Sequence, residues 1–251
     1  MSEVQVAISA CLGADNEKRK EAEKFLESQQ QSNPGQLIQA LFETMKSSDP
    51  LIAQFACVYI KWAYVGNEVS TLPRESFEEM KTKLFDFVDF DKQGAYLQSL
   101  GFLIVKVYAK LEQFVELMNK TVEWGQSENP LAWSFAMYLI EVLADVHMPV
   151  ELFKQYVNEF ANIFAKGLSD TDVRVKVSTL KAASSFLTSI EDKNDVKDFA
   201  PIIEPMMNAI IDALQHDETI GWKAMESIIM LSEYHPILFE TYCGKLVSIC
   251  S

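Results

Sequence analysis

The sequence predicts an all-α protein made of stacked helix pairs, an α-α superhelix, and three observations carry that reading. One layout recurs along the chain. With a turn residue taken as zero, Asp15, Asp49, Asn129 and Asp217 are each followed seven residues later by an alanine (Ala22, Ala56, Ala136, Ala224) and eleven later by a large aliphatic residue (Leu26, Ile60, Ile140, Ile228). A small and a large apolar residue at helical spacing describe one face of one helix. The stretch 168–187 follows the same layout, with Asp170 opening a helix, Val177 in the first place and Leu180 a position early in the second. Finally, no segment shows the sustained alternation of a half-buried strand.

Taken in order, the first predicted helix, 4–11, is short and leads to a turn at 13–16, where Asp15 caps a helix reaching Gln29. Asn33-Pro34-Gly35 breaks the chain, and 36–46 places Leu37, Leu41, Phe42 and Met45 on one stripe. Asp49-Pro50 opens a helix to about Val65, with aspartate as N-cap and proline at the first helical position, where its missing N–H costs nothing. A loop at 71–73 precedes a helix over 75–88 carrying Phe77, Met80, Leu84 and Phe87. Residues 92–109 are apolar on nearly every side, through Tyr96, Leu97, Leu100, Leu103, Ile104 and Val107, as expected of a helix held between neighbours. Another helix follows over 111–124.

Asn129-Pro130 repeats the cap-and-proline device and opens a helix to about Val146, which Met148-Pro149 ends. Residues 150–166 carry Leu152, Tyr156, Phe160, Ile163 and Phe164. The helix opened by Asp170 closes at a charged, solvated loop over 190–195. Helices over 199–214, 218–233 and 236–249 complete the array, giving about six pairs and an unpaired final helix. That last apolar face is uncovered at Ser251, so residues 1–251 are expected to form a single solenoid that either is the N-terminal part of a longer protein or is capped by another chain. Successive turn residues lie 34, 80, 41 and 47 apart, the second interval holding two repeats with a turn near Asp91. Such uneven spacing fits HEAT or armadillo pairs, at about 40–47 residues, better than the near-constant period of about 34 of TPR arrays.

Composition narrows the function. Hydrophobic residues at 49% and charged ones at 23% are ordinary for a folded soluble chain. Even the apolar run 101–108 is broken by Lys106, and Glu3 stands where a signal peptide carries positive charge, so an intracellular protein is expected. Cys11, Cys57, Cys243 and Cys250 are far apart and read as free thiols of a reducing compartment. The net charge of −14 argues against nucleic acid and suits basic protein partners. No catalytic constellation is present: His147, His216 and His235 are scattered, Asp86, Asp89 and Asp91 lack adjacent aspartates, and there is no phosphate-binding glycine motif. The sequence therefore predicts neither an enzyme nor a metal or cofactor site.

Three segments resemble one family. Arg19-x-x-Ala22-Glu23-x-x-Leu26 is similar to the first-repeat signature of the importin-beta (karyopherin-beta) superfamily of nuclear transport receptors. In the second repeat the family pattern of arginine, alanine and then Leu-Lys-Asn is kept at Ala56, Ile60 and Lys61, with Ala53 and Trp62 departing from it. Residues 224–239, from Ala224-Met225-Glu226-Ser227 to Pro236 and Phe239, resemble the importin-five and importin-four type. The resemblance implies a HEAT-repeat solenoid whose second helices line a concave face and whose first repeats bind the GTP form of the small GTPase Ran. It directs attention to Arg19, Glu23, Lys61, Trp62, Gln98, Lys106, Trp133, Glu141 and Asp145; Trp62 and Trp133 read either as core packing, the commoner case, or as exposed aromatic anchors. It further implies basic protein cargo, phenylalanine-glycine nucleoporins docking around Phe160 and Ile203, no membrane partner, a monomer, and shuttling between cytoplasm and nucleus. The alternative is a HEAT scaffold or regulatory subunit that organises other proteins without a nucleotide switch.

Overall fold

Asp15, Asp49, Asn129 and Asp217 start helices in the computed structural model as the spacing predicts. The structure describes residues 2–66, 72–92, 94–146, 149–192, 195–240 and 242, with the side chains of Val150 and Phe153 set aside, and no strand occurs among them. Asp15 Oδ1 accepts from the backbone N–H groups of Glu17 and Lys18. Asp49 and Asn129 accept from the N–H of Leu51 and Leu131 at 2.9 Å, each with proline at the first helical position. Asp217 accepts from Ile220. Each cap satisfies a donor the helix cannot use, and the aspartates add negative charge at the positive end of the dipole.

The chain forms two compact units, Met1–Gln113 and Phe114–Ser251. In the first, α1 (Glu3–Leu12) packs on α2 (Asn16–Ser32), α3 (Pro34–Met45) on α4 (Pro50–Ile60), and α5 (Arg74–Leu84) on α6 (Gly94–Leu111). The first helices α1 and α3 lie side by side, as do the second helices α4 and α6, so two layers enclose the core. In the second unit α7 (Phe114–Gly125) pairs with α8 (Pro130–Ala144), α10 (Val157–Leu168) with α11 (Val173–Thr188), and α12 (Ala200–His216) with α13 (Glu218–Tyr234). The short α9 (Val150–Gln155) precedes α10, and the layers here are α7, α10, α12 and α8, α11, α13. At every correctly predicted turn the seventh and eleventh residues, Ala22 and Leu26, Ala56 and Ile60, Ala136 and Ile140, Ala224 and Ile228, are buried.

One register differs. The N-cap of α11 is Asp172, not Asp170: Asp172 Oδ1 accepts from Arg174 N–H at 2.8 Å, while Asp170 Oδ1 accepts from Asp172 N–H and shapes the turn. Counted from Asp172, the two face positions are Thr179 and Ala183, both fully buried, and Val177 is only half-buried. Threonine fits an alanine position because its hydroxyl donates to the Val175 carbonyl at 2.7 Å and so carries no unmet donor into the core.

Other boundaries shift for local reasons. The helix predicted over 150–166 is broken at Tyr156, whose phenol donates to Asn119 Oδ1 at 2.7 Å. The predicted 75–88 helix tightens into a 3-10 turn at Phe85–Phe87. Helix α4 widens into a π turn at Lys61–Val65, where Gly66 N–H donates to the Lys61 carbonyl five residues back. Of the final predicted helix, Pro236–Phe239 forms a 3-10 turn, and 241 and 243–251 lie outside the described residues, as do His147, Cys243 and Cys250.

Candidate partner-binding face

Helix α4 and its π turn present their outer stripe as a ladder of aromatic rings. Phe55 stacks on Tyr59 at 6.4 Å between centroids, and Tyr59 meets Trp62 edge-on at 6.1 Å, the spacing that positions i, i+4 and i+7 impose. Tyr59 Oη donates to Gln30 Oε1 at 3.3 Å, which ties the ladder to α2. Burial, and after it the charge of Glu27, pushes the Tyr59 phenol up to about 12. Trp62 at the end of the ladder is 61% exposed.

On the other flank the Lys61 ammonium lies 3.8 Å from the centroid of Phe102 on α6, and the Lys106 ammonium lies 5.3 Å from the same ring. The negative face of the ring attracts both cations. The structure thus brings Lys61, Trp62 and Lys106 onto one patch, with Gln98 exposed one turn before Phe102. Phe102 was not singled out from sequence. Its spacing to Lys106 is visible there, but its meeting with Lys61 depends on how α4 and α6 pack.

The remaining predicted residues fall elsewhere. Arg19 is half-buried, and its guanidinium donates to the Gly13 carbonyl at 2.8 Å, so it closes the turn between α1 and α2. Glu23 is exposed on α2; burial, and after it Glu23, raises the nearby Cys11 thiol. In the second unit Glu141 is half-buried and pairs with Lys181 at 2.7 Å, and Asp145 is exposed at the end of α8. Trp133 is 5% exposed, so core packing is the reading that holds for it, and its place among the surface contact residues is corrected. Its ring packs where the missing Cβ of Gly167 leaves room, at a point only 2.3 Å from Trp133 Cζ2. Phe160 and Ile203 are likewise buried, so neither side chain offers a docking seat. Packing between α8, α10 and α11 decides Trp133, and a helix stripe read alone does not reveal which neighbour covers it.

Among the described residues no group of three His, Cys, Asp or Glu side chains is placed to hold a metal ion, and no helix is long and apolar enough to cross a membrane. What the patch offers is recognition: an exposed indole, two ammonium groups and flanking apolar surface.

The paired helices, capped at regular positions and stacked in two layers, define a HEAT-type helical-repeat protein of the α-α superhelix class. A family model described as IPO5-like, TPR repeats, matches residues 107–249, more than half of the chain. The chain belongs to that IPO5-like family, within the importin-beta superfamily. Its caps at Asp15 and Asp49, then Asn129, Asp172 and Asp217, stand 34, 43 and 45 residues apart, the uneven spacing of HEAT pairs.

Crystal structures of Kap121p share the fold. The complex of Kap121p with Nup53p matches with a TM-score of 0.78 at 18% identity, covering 98% of this chain and 24% of that one. The karyopherin Kap121p bound to the extreme C-terminus of the protein phosphatase Cdc14p gives 0.77 at 18% identity with the same coverage, and Kap121p bound to Ste12p gives 0.74 at 19%. The chain spans about a quarter of the length of these structures. Among curated protein sequences no relative is matched.

Proposed function

We propose that the chain belongs to an importin-type nuclear transport receptor and that its second helices bind GTP-loaded Ran, coupling that event to release of cargo. The observation that carries the reading is Trp62, exposed beside Lys61 on the second helix of the second pair, where the family pattern has its Lys-Asn pair. Family membership and the Kap121p-like fold support it. An exposed indole beside cations is the composition of an interface anchor. Kap121p is seen bound to Nup53p, to a Cdc14p segment and to Ste12p, and by analogy the partners here are nucleoporins with phenylalanine-glycine segments and protein cargo. Such a receptor shuttles between cytoplasm and nucleus and performs no chemistry of its own.

The mechanism is linkage between two ligands. A stack of helix pairs has alternative curvatures, and a GTPase that favours one of them lowers cargo affinity by the same factor by which cargo lowers its own. Pull-down with Ran locked in either nucleotide state tests the proposal. Retention of the GTP form and not the GDP form is expected, with Trp62→Ala weakening it about tenfold or more, a loss of roughly 1.4–2 kcal/mol typical of an interface anchor. Equal retention of both forms, or of neither, overturns it and leaves the scaffold reading.

A further inference from the structure

Helices α4 and α6 of the first unit carry a charge opposite to that of the chain. Overall, 36 acidic side chains outnumber 22 basic ones. Residues 50–65 and 94–111, which form α4 with its π turn and α6, hold Lys61, Lys106 and Lys110 and no aspartate or glutamate. The acidic residues of this unit stand mainly on α2, on α5 and in the turn at 86–91. Among the second helices, α4 and α6 therefore differ in charge from α2 and in sign from the chain, and the sign of the whole says nothing about the face that α4 and α6 present.

The lysines on that face are also placed differently from others in the unit. Lys18, Lys20, Lys46 and Lys83 each have a carboxylate within 4 Å. Among the described residues neither Lys61 nor Lys106 makes an ion pair; both are held over the Phe102 ring instead. A ring face orients an ammonium without using up its hydrogen bonds, since each retains N–H donors for another acceptor. Two like charges held at one ring repel, and carboxylates that pair with them relieve that repulsion. Beside them Leu51, Val58 and Trp62 form an exposed apolar stripe along α4.

We propose that this face binds an acidic segment of a partner protein that carries an apolar or aromatic anchor. Its carboxylates meet Lys61 and Lys106, and the anchor covers Trp62 and Val58. The segment has a direction: Glu27 on α2, whose charge acts on Tyr59, makes that flank unfavourable for carboxylates, so the acidic end lies toward α6. A basic segment, which the net charge of the chain suggests, is repelled at this patch. The proposal uses residues of the Ran reading but goes beyond it, because it concerns the chemistry of the bound segment and holds with or without a nucleotide switch.

Fluorescence anisotropy on the full chain tests this, using a short labelled peptide of glutamates around a central phenylalanine, with its glutamine and lysine counterparts as controls. The glutamate peptide is expected to bind and to weaken about tenfold in the Lys61→Gln, Lys106→Gln double variant, and again as ionic strength rises from about 0.05 to 0.2 M. The Lys61→Arg, Lys106→Arg double variant retains binding, and Trp62→Ala loses it by a similar factor. Both lysines are half-buried, so an unchanged melting temperature is required to certify the fold of the variants. Equal binding of the glutamine peptide, tighter binding of the lysine peptide, or an unaffected glutamine double variant overturns the proposal. Ran run in parallel separates the two readings: peptide binding without nucleotide-dependent Ran binding overturns only the transport proposal, and the reverse overturns only this one.

Discussion

At Asp172 one carboxylate performs two tasks at the start of α11. It accepts the Arg174 backbone N–H and is gripped by the Arg174 guanidinium through Nε at 3.2 Å and a terminal nitrogen at 2.8 Å. Those hydrogen bonds, side-chain first and backbone second, hold its carboxyl down at about 2. A folded value below the ordinary one of about 4 means that the contribution is complete above pH 4 and is lost as pH falls toward 2. Asp172→Ala is therefore expected to lower the melting temperature at pH 7 by more than Asp170→Ala, with the gap from wild type closing between about pH 4 and 2. Equal effects of the two substitutions would return the cap to Asp170. The thiols offer a second residue-scale contrast. Burial pushes Cys57 up to about 12, whereas Cys11 is only half-buried. In the native protein a maleimide at pH 8 is expected to label Cys11 and to spare Cys57, as read by peptide mass mapping.

At the scale of elements, α8, α10 and α11 meet where Gly167, Trp133 and Thr179 touch. A Cβ at Gly167 would lie 2.2 Å from Thr179 Oγ1 and 2.3 Å from the Trp133 ring, and both neighbours are themselves packed. Gly167→Ala is expected to cost about 1–3 kcal/mol, the range for overpacking, measured by urea unfolding. A neutral outcome would mean that α10 slides easily along α8. Helices α11 and α13 are tied by a buried hydrogen bond that Ser184 Oγ donates to the Ser227 carbonyl. Ser184→Ala removes a second hydrogen bond to a carbonyl inside α13, for an expected loss of about 0.5–1.5 kcal/mol.

These junctions mark where sequence reading stops. The helix pairs were legible because cap, small residue and large residue obey local rules, and Asp49-Pro50 and Asn129-Pro130 state their helix starts outright. The α11 register was misread because two aspartates two residues apart both suit a cap, and only Thr179, a hydroxyl at an alanine position, tells them apart. For the patch, Trp62 and Lys61 were visible as neighbours in sequence. Trp62 and Trp133 both stay open between core and surface in the sequence, because helical periodicity gives a stripe and not the identity of the helix that covers it. Phe102 went unnoticed for the same reason, since a ring shared by two lysines belongs to the packing of two helices.

For the molecule as a whole, stability is set by contacts between neighbouring pairs rather than by one central core, as stacking of helix pairs dictates. In the second unit the rings of Phe160, Phe164 and Phe199 surround Phe186 at 5.0, 5.6 and 5.6 Å between centroids. Phe186→Ala removes the ring common to all three contacts, which join α10 and α11 to the turn before α12. The cost expected for a buried phenylalanine is about 3–5 kcal/mol. Because each pair touches chiefly the next, that loss should be unevenly distributed. Hydrogen exchange measured on the variant is expected to accelerate first in α10, α11 and α12, while α1 and α2, several pairs away in the chain, keep their protection. A uniform acceleration from α1 to α13 would show that the whole chain opens as one cooperative unit, and would also count against alternative curvatures as the basis of coupling. Local loosening would instead mean that neighbouring pairs adjust separately, the property on which linkage between two ligands along such an array depends.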